Sequence, residues 1–376
     1  MKKVGIITFH NSYNCGSMLE TYAIQKYLEK CSVKTEIIDF SSNGQKEMYA
    51  VFSKNNSLKN ILKNVIIFPH YKKIEFNNNK YEEFKQRYFR LSKEQYSDND
   101  KIDDKYDIVI AGSDQIWNTT IPDSSDNYFL CWQTKGKKIA YAPSFGAKEI
   151  KKDNANYQRY CDFLNDFDVL STREKNGKKW IKNMTNKDIP VLIDPTLLLN
   201  SNDYDIIVDE SCNINEKYIF FYCPEFNADI CRFVKRLSKK YNLKVIAWST
   251  KNYYKKFINR FGFELPKYES PSVYLSLIKN AELVMTTSFH GTIFSTIFKK
   301  DFYTIKNGGM YGSDDRVLTL LEQLHLMERL IPFDYDENKD YLNNVNYEEY
   351  DKELPKLQQK AKNFIKESII TEYEKY

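Results

Sequence analysis

The sequence predicts an α/β protein of two doubly wound halves that face a cleft. Three observations carry this expectation. At 376 residues the chain exceeds what one ordinary core accommodates. Short apolar runs alternate with amphipathic stretches, and each run ends in Gly, Pro, Ser or Asp, as parallel strands covered on both faces do. A polar stretch at 200–216 divides this alternation into two similar parts and reads as the linker between them.

The elements follow in chain order. A strand at 3–9, a loop at 10–17, an amphipathic helix at 18–30 and a strand at 34–40 make a βαβ unit. Residues 41–100 are polar, rich in Lys and Asn, and read as an irregular helical insertion with helices at 58–67 and 80–88. The strand rhythm resumes at 106–111, 138–142 and 168–171, with a helix from Glu174 and a strand at 191–193. Beyond the linker come strand 218–222, helix 228–241, strand 244–248, helix 272–280, strand 282–286, helix 290–298 and strand 302–305. A charged helix at 349–376 ends the chain. The domains expected are 1–205 with its insertion at about 41–100, 206–345, and a C-terminal helix at 346–376. No short period repeats, so a solenoid is not expected.

Composition narrows the function. Hydrophobic and charged contents of 42% and 28% are those of a soluble globular protein. The 29 Tyr and 24 Phe accompany abundant Lys and Asn, a bias too general to argue for stacking on sugars or bases. The net charge of +5, from 56 basic and 51 acidic residues, is spread without a long cluster of one sign, so nucleic acid is not an expected partner. A mild positive balance is compatible with an anionic small substrate or a membrane surface. Seven widely spaced cysteines, with no Cys-x-x-Cys pair and no histidines at ligand spacing, point to a reduced cytosolic chain without a metal. Met1-Lys2-Lys3 leads straight into a strand pattern with no signal-peptide apolar region. The apolar runs fall far short of the ~20 residues that span a bilayer.

Four strand ends carry polar groups suited to a cleft, since ligands of such sheets bind beyond the carboxyl ends of the strands. The most informative is ELVMTTSFHGTIFSTIF (282–298), which sets His290, one of four histidines, where a buried strand turns into a helix. Thr287, Ser288 and Gly291 lie at the helix mouth, where free N–H groups and the positive dipole end favour an anion. The ordinary alternative is an N-cap at Ser288 and a satisfied imidazole at His290. Gly16 and Ser17 open the first helix and offer backbone N–H groups, without the spacing of a dinucleotide or P-loop motif. Gly112, Ser113 and Asp114 follow an apolar strand, and Asp114 either accepts a sugar hydroxyl's proton or caps a helix. Arg173 ends another strand, with a planar fork suited to a carboxylate or phosphate, or to an ordinary ion pair. Lys306 and Arg316 lie downstream, Arg316 as a cleft cation or as a solvated surface charge.

Together GSDQIWN (112–118), YAPSFG (141–146), STRE (171–174), DPTLLL (194–199), SFHGTIFSTIF (288–298) and SDDRVLTLLEQLHL (313–326) resemble, in this order, the polysaccharide pyruvyl transferase family. The opening FHNSYNCGSMLETYAIQKYL is similar to its N-terminal segment, and the likeness covers 4–330. The resemblance implies a glycosyltransferase-B-like fold of two Rossmann-like domains. It also implies phosphoenolpyruvate as donor substrate with no further cofactor, and a sugar acceptor, lipid-linked forms included. The product would be a pyruvate ketal on a surface polysaccharide or its precursor, made in the cytoplasm or at the inner face of the membrane. It places Arg173 and His290 in the donor site, with His290 as general acid and Arg173 and Arg316 holding the carboxylate and phosphate. Several members carry Arg-Leu-His where this chain has Ser288-Phe289-His290, so one cation is missing. Either Arg316 or Lys306 replaces it, or the donor is held differently. The competing readings are a nucleotide-sugar-dependent glycosyltransferase and a non-catalytic sugar- or nucleotide-binding protein on the same fold.

Overall fold

The computed structural model describes residues 2–306, 314–332, 336 and 338–374. The first half holds β1 (Val4–Ile7), α1 (Cys15–Lys30), β2 (Thr35–Phe40), α2 (Asn43–Tyr49), α3 (Leu58–Ile67), α4 (Tyr71–Tyr88), β3 (Leu91–Tyr96), β4 (Ile108–Ala111), β5 (Lys137–Ala140), α5 (Tyr157–Asn165) and α6 (Lys175–Thr185). Its sheet has the order β3-β2-β1-β4-β5, with every pair parallel. β1 and β4 are buried at every position, which is why their sequences read as unbroken apolar runs. α1 starts at Cys15, ahead of the expected Met18, because the Asn14 side chain accepts from the Gly16 N–H and caps it there. It is buried almost all round because it packs on the first sheet and on a helix of the second half.

Two expectations need correction. Residues 41–100 are not only helical: their last part is β3, an edge strand parallel to β2. Its sequence LSKEQY exposes Lys93, Glu94 and Gln95, so edge position hides the strand from a search for apolar runs. The expected strands at 168–171 and 191–193 shrink to single bridges, Ile139 to Val169 and Thr172 to Val191, at the rim beyond β5. The stretch 200–216, expected as the linker between the halves, carries structure of its own. It holds α7 (Ser201–Asp205), closed by a reciprocal Asn200–Asp203 capping box and pinned by fully buried Tyr204, whose hydroxyl donates to Thr196 O at 2.8 Å.

The second half comprises β6 (Tyr218–Tyr222), α8 (Ala228–Tyr241), β7 (Lys244–Ala247), α9 (Thr250–Lys255), α10 (Pro271–Asn280), β8 (Leu283–Thr286), α11 (Phe289–Ile297), β9 (Phe302–Ile305), α12 (Arg316–Gln323) and β10 (Leu330–Ile331). Its sheet is again wholly parallel, in the order β10-β9-β8-β6-β7. A long helix near the end of the chain, α13 (Glu348–Ile365), crosses back to the first half. Its Gln358 amide donates to Leu197 O at 2.7 Å, and Phe364 meets Tyr141 at 6.1 Å between ring centroids. One apolar cluster therefore runs through both halves, from Leu19 of α1 to Phe294 of α11 and Ile365 of α13. Among the described residues no helix is long and apolar enough to cross a membrane.

Candidate active site

The carboxyl ends of the two sheets meet at a cleft of about 290 Å³, lined by Asn14, Asp114 and Arg173 on one side and by Tyr222, Thr287, Ser288, His290 and Arg316 on the other. β8 delivers the histidine. At its end the Thr286 hydroxyl donates to Tyr222 O and accepts from Ser288 N, both at 2.9 Å, which turns the chain into α11. Ser288 is the N-cap, its Oγ accepting from Gly291 N at 3.3 Å. Gly291 permits this turn, because a Cβ there would lie 2.5 Å from Thr286 Oγ1. His290 thus stands in the first turn of α11 with its ring on the cleft, where the dipole favours negative charge.

Three buried groups are bound together beside it. Arg173 Nη1 donates to Asp194 Oδ2 at 2.7 Å, its Nη2 lies 3.6 Å from Asp114 Oδ1, and its guanidinium sits 4.2 Å from the centre of the Phe289 ring. His290 Nε2 lies 3.5 Å from the same Asp194 oxygen. Arg173 Nε and Nη2 and His290 Nε2 are buried without a hydrogen bond at the cleft floor. Burial pushes the Asp194 carboxyl up, but the imidazole and guanidinium outweigh it and hold the group well below the usual carboxylate range. Asp114 follows the same balance: burial raises it, and His290 and Arg173 bring it below its ordinary value. A depressed carboxyl is a weak base, and Asp114 already accepts from Ser17 Oγ at 2.5 Å and Gln115 N at 2.9 Å. It anchors the cations rather than capping a helix.

The other expected residues fall into two groups. Thr287, Ser288 and Arg316 line the cleft with His290, Arg173 and Asp114. Arg316 is neither a free cation nor a solvated one, since its Nε and Nη2 clasp Asp314 at 2.8 and 2.7 Å. Gly16, Ser17, Gly112 and Ser113 stand behind the site. Gly16 packs on the imidazole so closely that a Cβ would lie 2.2 Å from His290 Nδ1. Gly112 N donates to Ile7 O at 2.9 Å, and fully buried Ser113 donates through Oγ to Ala142 O at 2.8 Å. These two hold the loop after β4 and do not face the cleft. Lys306 is not among the cleft-lining residues; its N–H donates to Ile331 O at 2.8 Å. Gly312 and Ser313 lie outside the described residues.

Sequence reasoning missed Asp194, the carboxylate that joins Arg173 to His290. Its signal was present, since Asp194 ends an apolar run and precedes a proline, as a strand end should. Glu20 gave no signal. It lies in mid-helix, fully buried, accepting from Ser113 N at 3.0 Å and Thr8 Oγ1 at 3.1 Å. Burial first, then the charges of Asp194 and Asp114, push its carboxyl well up. Glu174 beside Arg173 is raised by burial to about 7. No cluster of three or more His, Cys, Asp or Glu able to hold a metal occurs among the described residues, and all seven cysteines are free thiols.

Comparison with known proteins places the chain in a family. The S. aureus MnaA–UDP structure superposes with a TM-score of 0.50 at 14% identity, covering 97% of this chain and 96% of that one. A putative UDP-N-acetylglucosamine 2-epimerase from Listeria monocytogenes gives 0.50 at 11% identity, covering 100% and 97%. These likenesses show the glycosyltransferase-B-like fold alone. No curated protein matches the chain. The model of the polysaccharide pyruvyl transferase family matches residues 14–309, a span that holds Asp114, Arg173, Asp194 and His290. The chain belongs to the polysaccharide pyruvyl transferase family.

Proposed function

We propose that this protein transfers the pyruvyl group of phosphoenolpyruvate to a sugar of a surface polysaccharide or its precursor, closing a pyruvate ketal. The supporting observation is the set of buried donors lining the cleft: Arg173 Nε has no partner, and Arg173 Nη2 and His290 Nε2 meet Asp114 and Asp194 only as ion pairs at 3.6 and 3.5 Å, without a hydrogen bond. An unpaired buried donor such as Arg173 Nε costs ~1–3 kcal/mol, and an oxygen of a small anion would recover that cost. Arg173 and Arg316, with the first turn of α11, take the carboxylate and phosphate of the donor. His290 protonates the methylene carbon, which leaves an oxocarbenium-like centre at the adjacent carbon. A sugar hydroxyl attacks that centre and returns its proton to the neutral imidazole. The C–O bond to phosphate then breaks, a second hydroxyl closes the ketal, and its proton leaves with the phosphate. Ser288 supplies no cation, so Arg316 is the second positive group of the donor site in this reading. Asp114 and Asp194 hold Arg173 and His290 in register.

The test is incubation of the purified protein with phosphoenolpyruvate and a panel of lipid-linked and nucleotide sugars, following phosphate release and the mass gained by the acceptor. His290→Ala is expected to lower turnover by at least about 10²-fold, and Arg173→Ala to raise the donor KM with the fold intact. Full turnover in His290→Ala would sink the assignment. Nucleotide release without phosphoenolpyruvate would mark a glycosyltransferase instead, and ligand binding without turnover a binding protein.

A further inference from the structure

A second pocket, of about 330 Å³, opens between the loop after β1, the end of β2 and helices α2 and α4. We propose that it is a subsite for a neutral, hydroxyl-rich ring, the acceptor sugar; this rests on the pyruvyl-transfer reading. Its charges pair off. Asp39 Oδ1 lies 3.0 Å from His10 Nε2 and accepts from Asn11 Nδ2 at 2.7 Å, and Lys85 Nζ lies 2.7 Å from Glu82 Oε2. Lys46, the remaining charged residue of the lining, faces Asp100. Burial would raise Asp39, yet His10 brings it down to about 2, so it stays an ionised acceptor for sugar hydroxyls. The independent sign of a ligand is Gln45. It is 1% exposed, its Oε1 accepts from Ser41 Oγ at 2.9 Å, and its Nε2 has no hydrogen-bond partner while lining the pocket. Tyr13 and Tyr49, 5.7 Å apart, supply apolar ring faces of the kind that pack on sugar C–H groups.

The pocket adjoins the donor site through one loop. Asn11 and Tyr13 line it, and Asn14, the residue after Tyr13, lines the catalytic cleft. Tyr49 lies within hydrogen-bonding reach of Ser12 and Asn14 and feels the charge of Asp123 first and of Asp114 second. The test titrates the methyl glycosides of galactose, mannose and N-acetylmannosamine into the protein and into Gln45→Glu, which keeps the shape and removes the Nε2 donors. At least one glycoside is expected to bind, about tenfold more weakly in Gln45→Glu, with inorganic phosphate binding unchanged. No glycoside binding, or binding indifferent to Gln45→Glu, overturns the subsite and leaves pyruvyl transfer standing. Glycoside binding without any phosphoenolpyruvate turnover would instead remove the reaction and keep the subsite. In turnover, a raised acceptor KM with unchanged donor KM is the matching signature.

A different observation carries a second inference. Helix α3 turns Leu58, Leu62 and Val65 outward, 80%, 64% and 64% exposed at helical spacing, and Phe68 continues the face at 65%. Lysines flank this face on its α9 side. Lys59 and Lys63 of α3 stand near Lys251, Lys255 and Lys256 of the adjoining α9 segment, close enough that burial and mutual repulsion lower Lys255. We infer that α3 docks on an anionic lipid bilayer, its apolar face in the headgroup boundary and the lysines against lipid charge. Co-sedimentation is expected with vesicles containing phosphatidylglycerol and not with phosphatidylcholine alone. Leu62→Glu with Val65→Glu, or Lys59→Glu with Lys63→Glu, should weaken it at least about tenfold with the circular dichroism spectrum unchanged. Failure to sediment, or a dimer that the apolar pair of substitutions dissociates without any lipid binding, overturns it.

Discussion

Asp194→Asn isolates the group that ties the site together. The substitution keeps the side chain's shape, and its amide oxygen can still accept from Thr196 N and Oγ1, which lie 3.0 and 2.6 Å from Asp194 Oδ1. The loss therefore falls on Arg173, whose side chain is 2% exposed and whose other carboxylate, Asp114, lies 3.6 Å away. Removing one partner of a buried ion pair costs ~3–5 kcal/mol, and Asp114 brings the expected value to the lower end, roughly 3 kcal/mol. Urea unfolding at neutral pH measures it directly. Because the folded carboxyl is held below its ordinary 3.8, its stabilisation is present above that value and is lost as pH falls through the lower, folded one. The gap between parent and variant should stay full from neutral pH down to about pH 5 and close only in stronger acid. Turnover should drop about 10²-fold, equivalent to ~2.7 kcal/mol, as Arg173 and His290 lose register. Equal stability at neutral pH, or a gap already closed at about pH 5, refutes the ion-pair reasoning.

Three further outcomes are expected. Glu174 is raised from 4.5 to about 7 by burial, so its stabilisation is full below the lower value and is lost as pH rises through the higher. Glu174→Gln should become the more stable form above neutrality, by up to roughly 3 kcal/mol, and parallel pH–stability curves for the two proteins would contradict this. Gly16→Ala places a Cβ 2.2 Å from His290 Nδ1; kcat should fall about 10²-fold with the fold kept, and an unchanged kcat would show that the ring position does not matter. Phe289→Leu removes the ring beneath Arg173, a contact of roughly 1–2 kcal/mol, and should raise the phosphoenolpyruvate KM about tenfold; an unaltered KM would exclude the stacking from donor binding.

The doubly wound halves were legible because their strands are buried on both faces, as β1, β4 and β8 are. β3 escaped because an edge strand has no need of apolar residues. His290, Ser288 and Asp114 were legible because each follows a strand of a parallel sheet, where such folds collect their chemistry, and Arg173 because it follows a bridge at the same edge. Glu20 and the clasp of Arg316 by Asp314 were not, because neither helix position nor local spacing says which charge a side chain meets. Gly112 and Ser113 were misplaced for the same reason: a strand end faces either the cleft or the layer behind it, and their sequence is alike in both cases.

The sequence by itself determined that His290 would open a helix at a sheet's carboxyl edge, because an apolar run, a capping serine and helical spacing are local properties. Tertiary structure decided what surrounds it. Asp194, Arg173 and Gly16 reach the histidine's neighbourhood from segments far apart in the chain. Only the packing of the two halves through one shared core fixes which charges are buried together, and burial is what turns a list of polar residues into a site.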